Sequence, residues 1–453
     1  MIALSLSEIA SAIGGRLIGP DAKFCGVSTD TRTLKHNELF VALKGQHFDG
    51  HDSLAEAQRK GAAAVVIEHS AGTLSAVRVD DTRRALGKLA NLWRRRFSIP
   101  VIGITGSNGK TSTKEMASAI LRQRYRVLAT IGNLNNEIGV PQTLFGLAVE
   151  NEVAVIEMGA SQPDDIGDLA QIAEPTVGVV TMCGPAHLAG FGDLKGVAAA
   201  KGQLFTALRD TGTAIINADD QFSPVWRALS KHANQCTFGI RSAAEFMARD
   251  IVELGLGRGT EFFLVAPTGS IDVHLPVDGL HNIYNALAAA AATAAVGATL
   301  ADTQKGLAAV RPVHGRLVPT GGINGSLLID DTYNANPVSL VAALDVLRNA
   351  PGQHWLVLGD MGELGVTEIE QHRFAGESAK TRGIERLFLI GELAAEAAVG
   401  FGGGAEHFDD SQGLIAKLRT ELHCGITLLI KGSRKMQLDR VVAALSLTNV
   451  SLC

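Results

Sequence analysis

Short, strongly apolar runs recur in the middle of the chain and alternate with longer segments of helical periodicity. These runs are VIGIT, VAVIE, VGVVTM and GTAIINAD, which begin at residues 101, 153, 177 and 212. Runs of this length and of this Val and Ile content predict buried strands, and the helical stretches between them predict crossover connections. The pattern therefore indicates a mostly parallel sheet that is covered by helices.

The same alternation on both sides of this region predicts an α/β protein of three domains. LFVALKG and AAAVVIE flank a helical stretch and indicate a small N-terminal α/β domain over residues 1–82. SLLIDD, HWLVLGD, RLFLIG and ITLLIKG indicate a C-terminal Rossmann-like domain over residues 313–453. The central domain takes residues 83–312, and EFFLVAPTGSIDVHL predicts a hairpin within it that turns at residues 267–270.

Composition and charge limit the number of domains and the kinds of partner that the protein can have. The chain has 453 residues, 46% of them hydrophobic, which is enough for two to four packed domains. Its net charge of −5 argues against nucleic acid or an anionic membrane as a partner. The apolar run at residues 286–298 is short and mostly alanine, so it predicts a buried helix rather than a membrane insertion.

The cysteines and the N-terminal residues indicate the compartment. The five cysteines are odd in number and form no C-x-x-C pair, which favours reduced thiols; they are Cys25, Cys183, Cys236, Cys424 and Cys453. The N-terminal residues lack the apolar core of a signal peptide. We therefore expect a cytoplasmic protein.

The segment SIPVIGITGSNGKTSTKEM, residues 98–116, predicts a strand, a glycine-rich turn and a helix. The strict Walker A spacing would need Gly where the chain has Ile104. Gly106 and Gly109 still allow backbone N–H groups to turn inward around a phosphate, Lys110 can reach β- and γ-phosphates, and the Thr111 hydroxyl suits Mg²⁺. A glycine-rich surface turn is the alternative, but the flanking strand and helix favour nucleotide binding.

Three further polar residues lie where ligands bind in open parallel sheets. Glu157 ends the strand VAVIE, and His187 follows the strand VGVVTM, so both are predicted at the carboxyl edge. Lys201 lies in an alanine-rich helical stretch. Taken singly, each has an ordinary structural explanation: a solvated strand-end Glu, a loop His and a solvated Lys.

The last domain carries two polar segments at strand ends. DDTYNANPVS, residues 330–339, places Pro337 at a predicted first helical position, and helix capping alone would account for one of its asparagines. KGSR, residues 431–434, puts two cations at a strand-to-helix turn. A solvated loop would explain those cations equally well, but their place at the carboxyl edge favours an anion site.

Together these segments resemble the Mur ligases. The resemblance rests on TGSNGKTSTKEM, GNLNNEIGVP, IEMGA, AHLAGFG, AAAKG, GLHNIYNALAA, HGR, DDTYNANPVS and KGSR, in that order, and on STDTR and LFVALKGQHFDGHD in the first domain. It covers essentially the whole chain. This family uses a shortened G-x-x-G-K-[ST] loop, which accounts for Ile104.

The resemblance implies an ATP-dependent amide ligase of peptidoglycan precursor synthesis. The implied substrates are UDP-N-acetylmuramoyl-tripeptide and D-alanyl-D-alanine. Transfer of the γ-phosphoryl group to the peptide carboxylate would give an acyl phosphate, and attack by the dipeptide amine would give the pentapeptide, ADP and phosphate. Two Mg²⁺ ions would offset the repulsion between carboxylate and triphosphate. We also expect a monomer.

The resemblance also implies roles for individual residues. Catalysis falls to Lys110, Glu157, His187 and Lys201, and the metal ligands would be Thr111, Glu157, His187 and Lys201, the last as a carbamate. The nucleotide site would comprise Gly106, Ser107, Asn108, Gly109, Lys110, Thr111, Ser112, Asn282, Asn285, Arg316 and Asp331. The substrate residues would be Ser28, Asp30, Arg32 and Lys44 for the UDP group, Asn133, Asn135 and Asn136 for the muramoyl group, and Asn334, Asn336, Lys431 and Arg434. Gln203 stands where many relatives have Glu, so no carboxylate acts there.

Three other functions remain open at this point. A family ligase that adds a diamino acid shares the first domain and the loop but usually carries a D-N-P-R motif, which this sequence lacks. A folate polyglutamate ligase shares the core but has no comparable first domain. A non-enzymatic P-loop regulator would leave Glu157, His187 and Lys201 without a task. The sequence does not tell whether the third acceptor residue is diaminopimelate or lysine.

Overall fold

The computed structural model describes residues 4–45, 47–69 and 72–447. It is a mixed α/β structure with one main sheet in each of the three regions that were predicted as domains. This confirms the predicted fold class. Short 3-10 turns lie at Gly50–Ser53, Ile323–Gly325, Gly365–Thr367, Ala394–Glu396 and Arg434–Met436. In the described part of the chain, no helix combines the length and the apolar character that crossing a membrane requires.

The first sheet has the strand order β2-β7-β6-β5-β4, with β2 antiparallel to β7 and the other neighbours parallel. The elements of this region are β1 (Leu4–Ser5), α1 (Leu6–Ile13), β2 (Arg16–Ile18), β3 (Lys23–Phe24), β4 (Val27–Ser28), β5 (Leu39–Val41), α2 (Leu54–Arg59), β6 (Ala64–Ile67), β7 (Ala76–Arg78) and α3 (Thr82–Arg94). β1 and β3 pair with each other in a separate antiparallel sheet of two strands. Asp81 caps α3 by accepting hydrogen bonds from the N–H groups of Arg83 and Arg84.

The central sheet has the order β16-β15-β14-β13-β12-β11-β8-β10-β9 and is parallel from β9 to β14. Its strands are β8 (Val101–Thr105), β9 (Val127–Ala129), β10 (Val153–Glu157), β11 (Val177–Val180), β12 (Thr213–Asn217), β13 (Asn234–Gly239), β14 (Phe246–Glu253), β15 (Thr260–Ala266) and β16 (Gly269–Leu275). Its helices are α4 (Lys110–Leu121), α5 (Gly139–Phe145), α6 (Asp165–Ala173), α7 (Leu188–Phe191), α8 (Leu194–Thr206), α9 (Ser223–Leu229), α10 (Leu280–Ala294) and α11 (Leu300–Ala308).

The predicted hairpin is present, but its turn is tighter than predicted. β15 and β16 pair antiparallel with Ala266 opposite Gly269, so only Pro267 and Thr268 lie outside the two strands. A two-residue connection matches the twist of the flanking strands, which explains why Gly269 and Ser270 belong to β16. The hairpin extends the central sheet through antiparallel pairing with β14.

The third sheet has the order β17-β18-β22-β19-β20-β21 and is parallel except for β17. Its elements are β17 (Val318–Gly321), β18 (Leu327–Asp331), α12 (Pro337–Arg348), β19 (Gln353–Gly359), α13 (Glu368–Thr381), β20 (Arg386–Ile390), α14 (Ala397–Phe401), β21 (Ala405–Phe408), α15 (Ser411–Glu421), β22 (Ile426–Lys431) and α16 (Asp439–Leu445). All residues of β22 are buried, as expected for a strand covered on both faces.

The domain boundaries predicted after residues 82 and 312 remain predictions. The three main sheets lie within the predicted intervals, but α3 begins at the first boundary and packs against both α1 and the central helices α5 and α6. The sheet order decides where the site forms. Because β11, β8 and β10 are parallel neighbours, the segments that follow these three strands meet at one edge of the sheet.

Candidate active site

The loop between β8 and α4 has the backbone of a phosphate-binding loop. Gly106 and Gly109 both have positive φ, at 150° and 82°. A Cβ atom at Gly106 would lie 1.8 Å from Oγ1 of Thr181, and one at Gly109 would lie 2.2 Å from Oδ1 of Asn285. Only glycine fits either position. The first-turn N–H groups of α4 have no intrahelical acceptor, so they are donors for an anion.

The segment that follows β11 holds this loop in place. The backbone N–H of Ser107 donates to the Met182 carbonyl at 2.9 Å, and the Ser107 hydroxyl donates to the Gly184 carbonyl at 2.9 Å. The Thr181 hydroxyl donates to the Asn108 carbonyl at 2.6 Å. The loop is thus fixed by neighbouring backbone before any ligand binds.

Two cavities meet at the loop. One, of about 590 Å³, is lined by Gly109, Ser112, residues of α10 and part of the third domain. The other, of about 770 Å³, is lined by Lys110, Thr111 and polar residues that follow β9, β10 and β11. Asn108, Gly109, Arg316 and Ser339 line both cavities. A ligand on each side would therefore meet at the P-loop.

A chain of side-chain amides lines the first cavity. The Thr113 hydroxyl donates to Oδ1 of Asn285 at 3.3 Å, and Nδ2 of Asn285 donates to Oδ1 of Asn282 at 3.1 Å. Nδ2 of Asn282 in turn donates to the Asp278 carbonyl at 2.8 Å. Both predicted asparagines are buried beside the P-loop.

The third domain supplies one wall of this cavity. Asp331, the last residue of β18, accepts a hydrogen bond from Nζ of Lys431 at 2.5 Å, and Lys431 also donates to the Asn334 carbonyl at 2.9 Å. The Arg316 guanidinium lies 4.2 Å from the centroid of the Tyr333 ring. Its buried Nε has no hydrogen-bond acceptor within the described part of the chain, so this donor is available to a ligand.

Lys431 differs from its predicted surroundings. KGSR was interpreted as a strand-to-helix turn with two cations at an anion site, yet Lys431 is the buried last residue of β22. Burial lowers its pKa, and the nearby Asp331 opposes that shift. Lys431 lines the first cavity, whereas Arg434 lines the second.

Glu157 lies at the end of β10 in the second cavity and is buried. Its Oε1 accepts a hydrogen bond from Nδ2 of Asn135 at 2.8 Å. Its Oε2 is buried and has no donor among the described residues. A buried carboxylate oxygen without a donor is an oxygen ligand available to a cation. With the Thr111 hydroxyl lining the same cavity, the residues present fit Mg²⁺.

His187 faces the same cavity from the segment after β11. It has a left-handed backbone with φ 53° and precedes the short helix α7. Nδ1 of its imidazole lies against the carboxylate of Glu363, a third-domain residue with φ 63°. The hydrogen bond from His187 lowers the pKa of Glu363. The central and third domains therefore touch through a His–Glu pair at the cavity.

Lys201 lies on α8 and is buried, with 1% of its surface exposed. Its Nζ is 5.9 Å from the centroid of the Phe191 ring. Burial, with a smaller contribution from Lys110, lowers the pKa of Lys201 to about 7. Lys201 is not among the residues that line either cavity, so it lies behind the cavity surface. The alternative of an ordinary solvated lysine is therefore wrong, and the carbamate stays a prediction.

Lys110 folds back onto its own loop. Its Nζ donates to the Gly106 carbonyl at 2.7 Å. Burial lowers the pKa of Lys110, while the negative charge of Glu157 raises it. Lys110 thus lies between the loop carbonyls and the carboxylate edge of the second cavity.

The remaining predicted residues divide into two groups. Asn133, Asn135, Asn136, Asn334 and Asn336 line the second cavity with Lys110. The first-domain residues line neither cavity; these are Ser28, Asp30, Arg32 and Lys44. Gln203, which stands where a carboxylate was expected, ties α8 to the start of α6 by donating to Asp164 and accepting from the Gly167 N–H.

Sequence analysis missed residues that the fold brings to the site. His281, beside the predicted Asn282, lines the first cavity, and burial lowers its pKa to about 4. His281 belongs to the segment GLHNIYNALAA, which carries part of the family resemblance, so the sequence did contain a signal that it lies at the site. Glu363 had no such signal, because its contact with His187 depends on the packing of two domains.

A P-loop between a nucleotide-sized cavity and a carboxylate-lined cavity, on a three-part α/β chain, is the arrangement of an ATP-dependent amide ligase of the Mur type. Sequence models match in chain order: "Mur ligase family, catalytic domain" over residues 23–94, "Mur ligase middle domain" over residues 104–293, and "Mur ligase, glutamate ligase domain" over residues 315–434. The chain belongs to the Mur ligase family.

Individual relatives are similar over nearly the whole chain. The UDP-N-acetylmuramoyl-tripeptide–D-alanyl-D-alanine ligase of Escherichia coli (strain K12) is 43% identical over 98% of this chain and 99% of its own length. A crystal structure of MurF from Acinetobacter baumannii has a TM-score of 0.92 at 32% identity and covers 98% of both chains. MurF from Thermotoga maritima in complex with ADP has a TM-score of 0.83 at 28% identity, covering 92% of this chain and 96% of that one.

Proposed function

We propose that this chain is an ATP-dependent ligase that joins D-alanyl-D-alanine to UDP-N-acetylmuramoyl-tripeptide. The observation that carries the proposal is the meeting of two cavities at one P-loop, with Asn282 and Asn285 on one side and Glu157 and His187 on the other. The identity of 43% to a ligase of that name, over nearly the full length of both chains, supports the choice of substrates.

Each cavity has a distinct task in this reaction. ATP occupies the cavity of about 590 Å³ with its phosphates on the N-terminus of α4, and Arg316 and Asp331 complete the site from the third domain. The tripeptide carboxylate approaches from the cavity of about 770 Å³, positioned by Asn133, Asn135 and Asn136. Lys110 holds the β- and γ-phosphates. Attack of the carboxylate oxygen on the γ-phosphorus then gives an acyl phosphate and ADP.

Mg²⁺ at Thr111, Glu157 and His187 would supply positive charge where the carboxylate and the triphosphate meet. The amine of the dipeptide attacks the acyl carbon from the third-domain side, where Asn334 and Arg434 line the cavity. Phosphate then leaves from the tetrahedral intermediate, and the pentapeptide product forms. The cationic Arg434 suits the dipeptide carboxylate.

We also propose that Lys201 works as a carbamate. Its side chain is buried, and its pKa of about 7 leaves much of the amine neutral near neutral pH. A neutral amine can add to CO₂ with loss of one proton, which converts a buried cation into an anionic oxygen ligand. This would remove the unfavourable proximity of Lys201 to Lys110.

Further proposals concern the first domain and the assembly. The UDP group would bind at Ser28, Asp30, Arg32 and Lys44. Lys44 is linked to the second cavity, since Arg83 donates to its carbonyl at 2.9 Å and contacts Glu137 at 3.1 Å. We also propose that the protein works as a monomer. The described cysteines, Cys25, Cys183, Cys236 and Cys424, are free, which supports a cytoplasmic location.

One assay tests the proposed reaction. Purified protein is mixed with ATP, Mg²⁺, a UDP-muramoyl-tripeptide that carries either diaminopimelate or lysine, and a panel of amine donors, and the products are read by mass. We expect sustained ADP release and a pentapeptide product only when both a tripeptide and D-alanyl-D-alanine are present, since the tripeptide alone can support no more than formation of the acyl phosphate. ATP turnover that is independent of the peptide substrates would contradict the proposal and favour a P-loop regulator.

A further inference from the structure

An amide–amide pair joins the P-loop to the third domain. Nδ2 of Asn336 donates to Oδ1 of Asn108 at 2.8 Å, and Nδ2 of Asn108 donates to Oδ1 of Asn336 at 3.2 Å. The two residues are 228 positions apart in the chain. Asn336 is buried, and Asn108 lines both cavities at the point where they meet. Below, this pair is called the amide clasp.

Asn336 has a second role, and that role leaves its amide nitrogen unused. It is the N-cap of α12, and its Oδ1 accepts a hydrogen bond from the Ser339 N–H at 2.9 Å. Capping needs only a side-chain oxygen, and Asn, Asp and Ser supply it about equally well. The Nδ2 group is not needed for the cap. In this structure it is directed at the P-loop instead.

The amide clasp suits its position between two anionic substrates. It is neutral, so it adds no charge that would repel phosphate or carboxylate groups, as an aspartate would. Two antiparallel hydrogen bonds also fix the relative orientation of the two side chains, which a single bond would not. These domains also touch through His187 and Glu363 at the second cavity, and further out through the 2.6 Å bond from Asn349 to Glu253 on β14.

We propose that Asn336 is a positioning residue that, through Asn108, holds the start of α12 and the preceding polar segment against the P-loop. The inference deepens the proposed ligase function and rests on it. Asn334 and Arg434 line the second cavity from the third domain, so the dipeptide they receive reaches the acyl phosphate only when this wall lies against the loop. Asn336 therefore acts through the P-loop rather than by contacting the tripeptide or the dipeptide.

A comparison of Asn, Asp and Ser at position 336 distinguishes the effect of the amide clasp from the effect of helix capping. Asn336→Asp keeps the cap and one hydrogen bond to Asn108, whereas Asn336→Ser keeps the cap but is too short to reach Asn108. We expect kcat to fall about threefold or more in the Asp variant, which loses one hydrogen bond and brings a negative charge near the phosphates, and about tenfold or more in the Ser variant, which loses both hydrogen bonds. The KM for ATP of the Ser variant should also rise, because Arg316 and Asp331, which complete the ATP site from the third domain, are no longer held against the loop.

The control for capping is Asp410→Ser at the N-cap of α15 in the same domain, where Asp410 accepts from the Gly413 N–H at 2.8 Å. This variant changes a cap without touching the clasp, so its kcat should equal that of wild type. If kcat is the same for Asn, Asp and Ser at position 336, Asn336 serves only as a cap and the inference is overturned. A loss of kcat that follows a loss of thermal stability across the series would also overturn it.

Two further measurements test the amide clasp independently of the proposed reaction. In a double-mutant cycle, Asn108→Ala combined with Asn336→Ser should lower kcat no more than Asn108→Ala alone, and additive losses would overturn the pairing. Solution scattering without substrates should show a larger radius of gyration for Asn336→Ser than for wild type. If wild type makes no pentapeptide, the proposed function fails, and the scattering then decides the clasp: unchanged curves overturn it.

Discussion

Two lysines, the half-buried Lys110 and the buried Lys201, lie close enough that the charge of Lys110 contributes to the lowered pKa of Lys201. Lys110 starts α4 and contacts the loop carbonyl of Gly106, whereas Lys201 lies on α8 behind the cavity. Burial lowers the pKa of both. Two neighbouring cations withdrawn from water are unfavourable unless an anion accompanies them, and bound phosphate near Lys110 and a carbamate at Lys201 would supply negative charge.

Lys110→Ala should abolish ATP-dependent ligation and leave the fold intact. The shape of the loop is fixed by the backbone contacts of Ser107 and Thr181, but the charge on the β- and γ-phosphates needs the ammonium group. We expect a loss of at least about 100-fold in kcat/KM. The exposed Lys195→Ala on α8 is the matched control and should keep full activity. Near-normal turnover by the Lys110 variant would refute the assignment.

Lys201→Met should change how stability depends on pH. The folded pKa of Lys201 is about 7, below its usual value of 10.5, so between these values the unfolded chain binds more protons and stability rises with pH. Relative to wild type in CO₂-free buffer, the methionine variant should therefore gain about 4 kcal/mol at pH 7, and this gain should shrink towards pH 10. Denaturant unfolding at both pH values measures it. A gain that does not depend on pH would contradict the shift.

Lys201→Ala tests the carbamate directly. The variant should lose most ligation activity, and a short carboxylate such as acetate or formate should restore part of it by placing oxygen ligands in the vacated space. An unmodified lysine predicts no such rescue, because acetate cannot replace a cation. Activity is measured at constant ionic strength with and without the acid, beside the bicarbonate dependence of wild type. Full activity without any added acid would exclude a catalytic role for Lys201.

At the scale of elements, the strand–loop–helix unit β8–α4 needs glycine at its turning points. Gly109 has φ 82° and its absent Cβ leaves room for Oδ1 of Asn285. The Asn285 amide also accepts from Thr113 and donates to Asn282, so it links α4, which follows the P-loop, to α10. A side chain at this position would disturb both elements.

Gly109→Ala should therefore weaken nucleotide binding, whereas Gly383→Ala should not. Gly383 has φ 78° and no atom within 4 Å of a built Cβ, so it shares the backbone strain but has no clash. We expect both variants to lose about 1 kcal/mol of stability from the left-handed conformation. Only Gly109→Ala should also lose about tenfold or more in ATP affinity by calorimetry. Equal ATP affinity in the two variants would show that the Asn285 contact is unimportant.

At the scale of the whole molecule, the ATP site is complete only when the central and third domains meet. The P-loop belongs to the first of these, while Arg316, Asp331 and the amide clasp residue Asn336 belong to the second. The His187–Glu363 contact closes the opposite cavity in the same way. Binding and chemistry are thus coupled to the arrangement of the domains.

We expect ligands to compact the protein. An ATP analogue and UDP-muramoyl-tripeptide together should lower the radius of gyration, because each bridges groups on two domains. Solution scattering of the free and the saturated protein measures this change, with ADP alone as the control for partial occupancy. The same radius of gyration in both states would argue against closure during the reaction.

The sequence by itself determined the buried strands, the P-loop at residues 106–112 and the strand-end position of Glu157, because periodicity, glycine spacing and turn chemistry act over a few residues. The structure agrees with these predictions. The local pattern also predicted that helix capping accounts for one asparagine of DDTYNANPVS, and Asn336 is that cap. The resemblance to a known family added the candidate residues that lie far apart in the chain.

Only the tertiary structure decided which of those residues meet. The pairing of Asn336 with Asn108 and the contact of Glu363 with His187 depend on how the central and third domains pack, whereas the burial of Lys431 against Asp331 depends on the pairing of β18 with β22. None of these contacts follows from local spacing, because the partners are far apart in the chain and each residue has an ordinary role in its own element. Packing brings them within hydrogen-bond distance, and at such distances a misplacement of one ångström changes the chemistry.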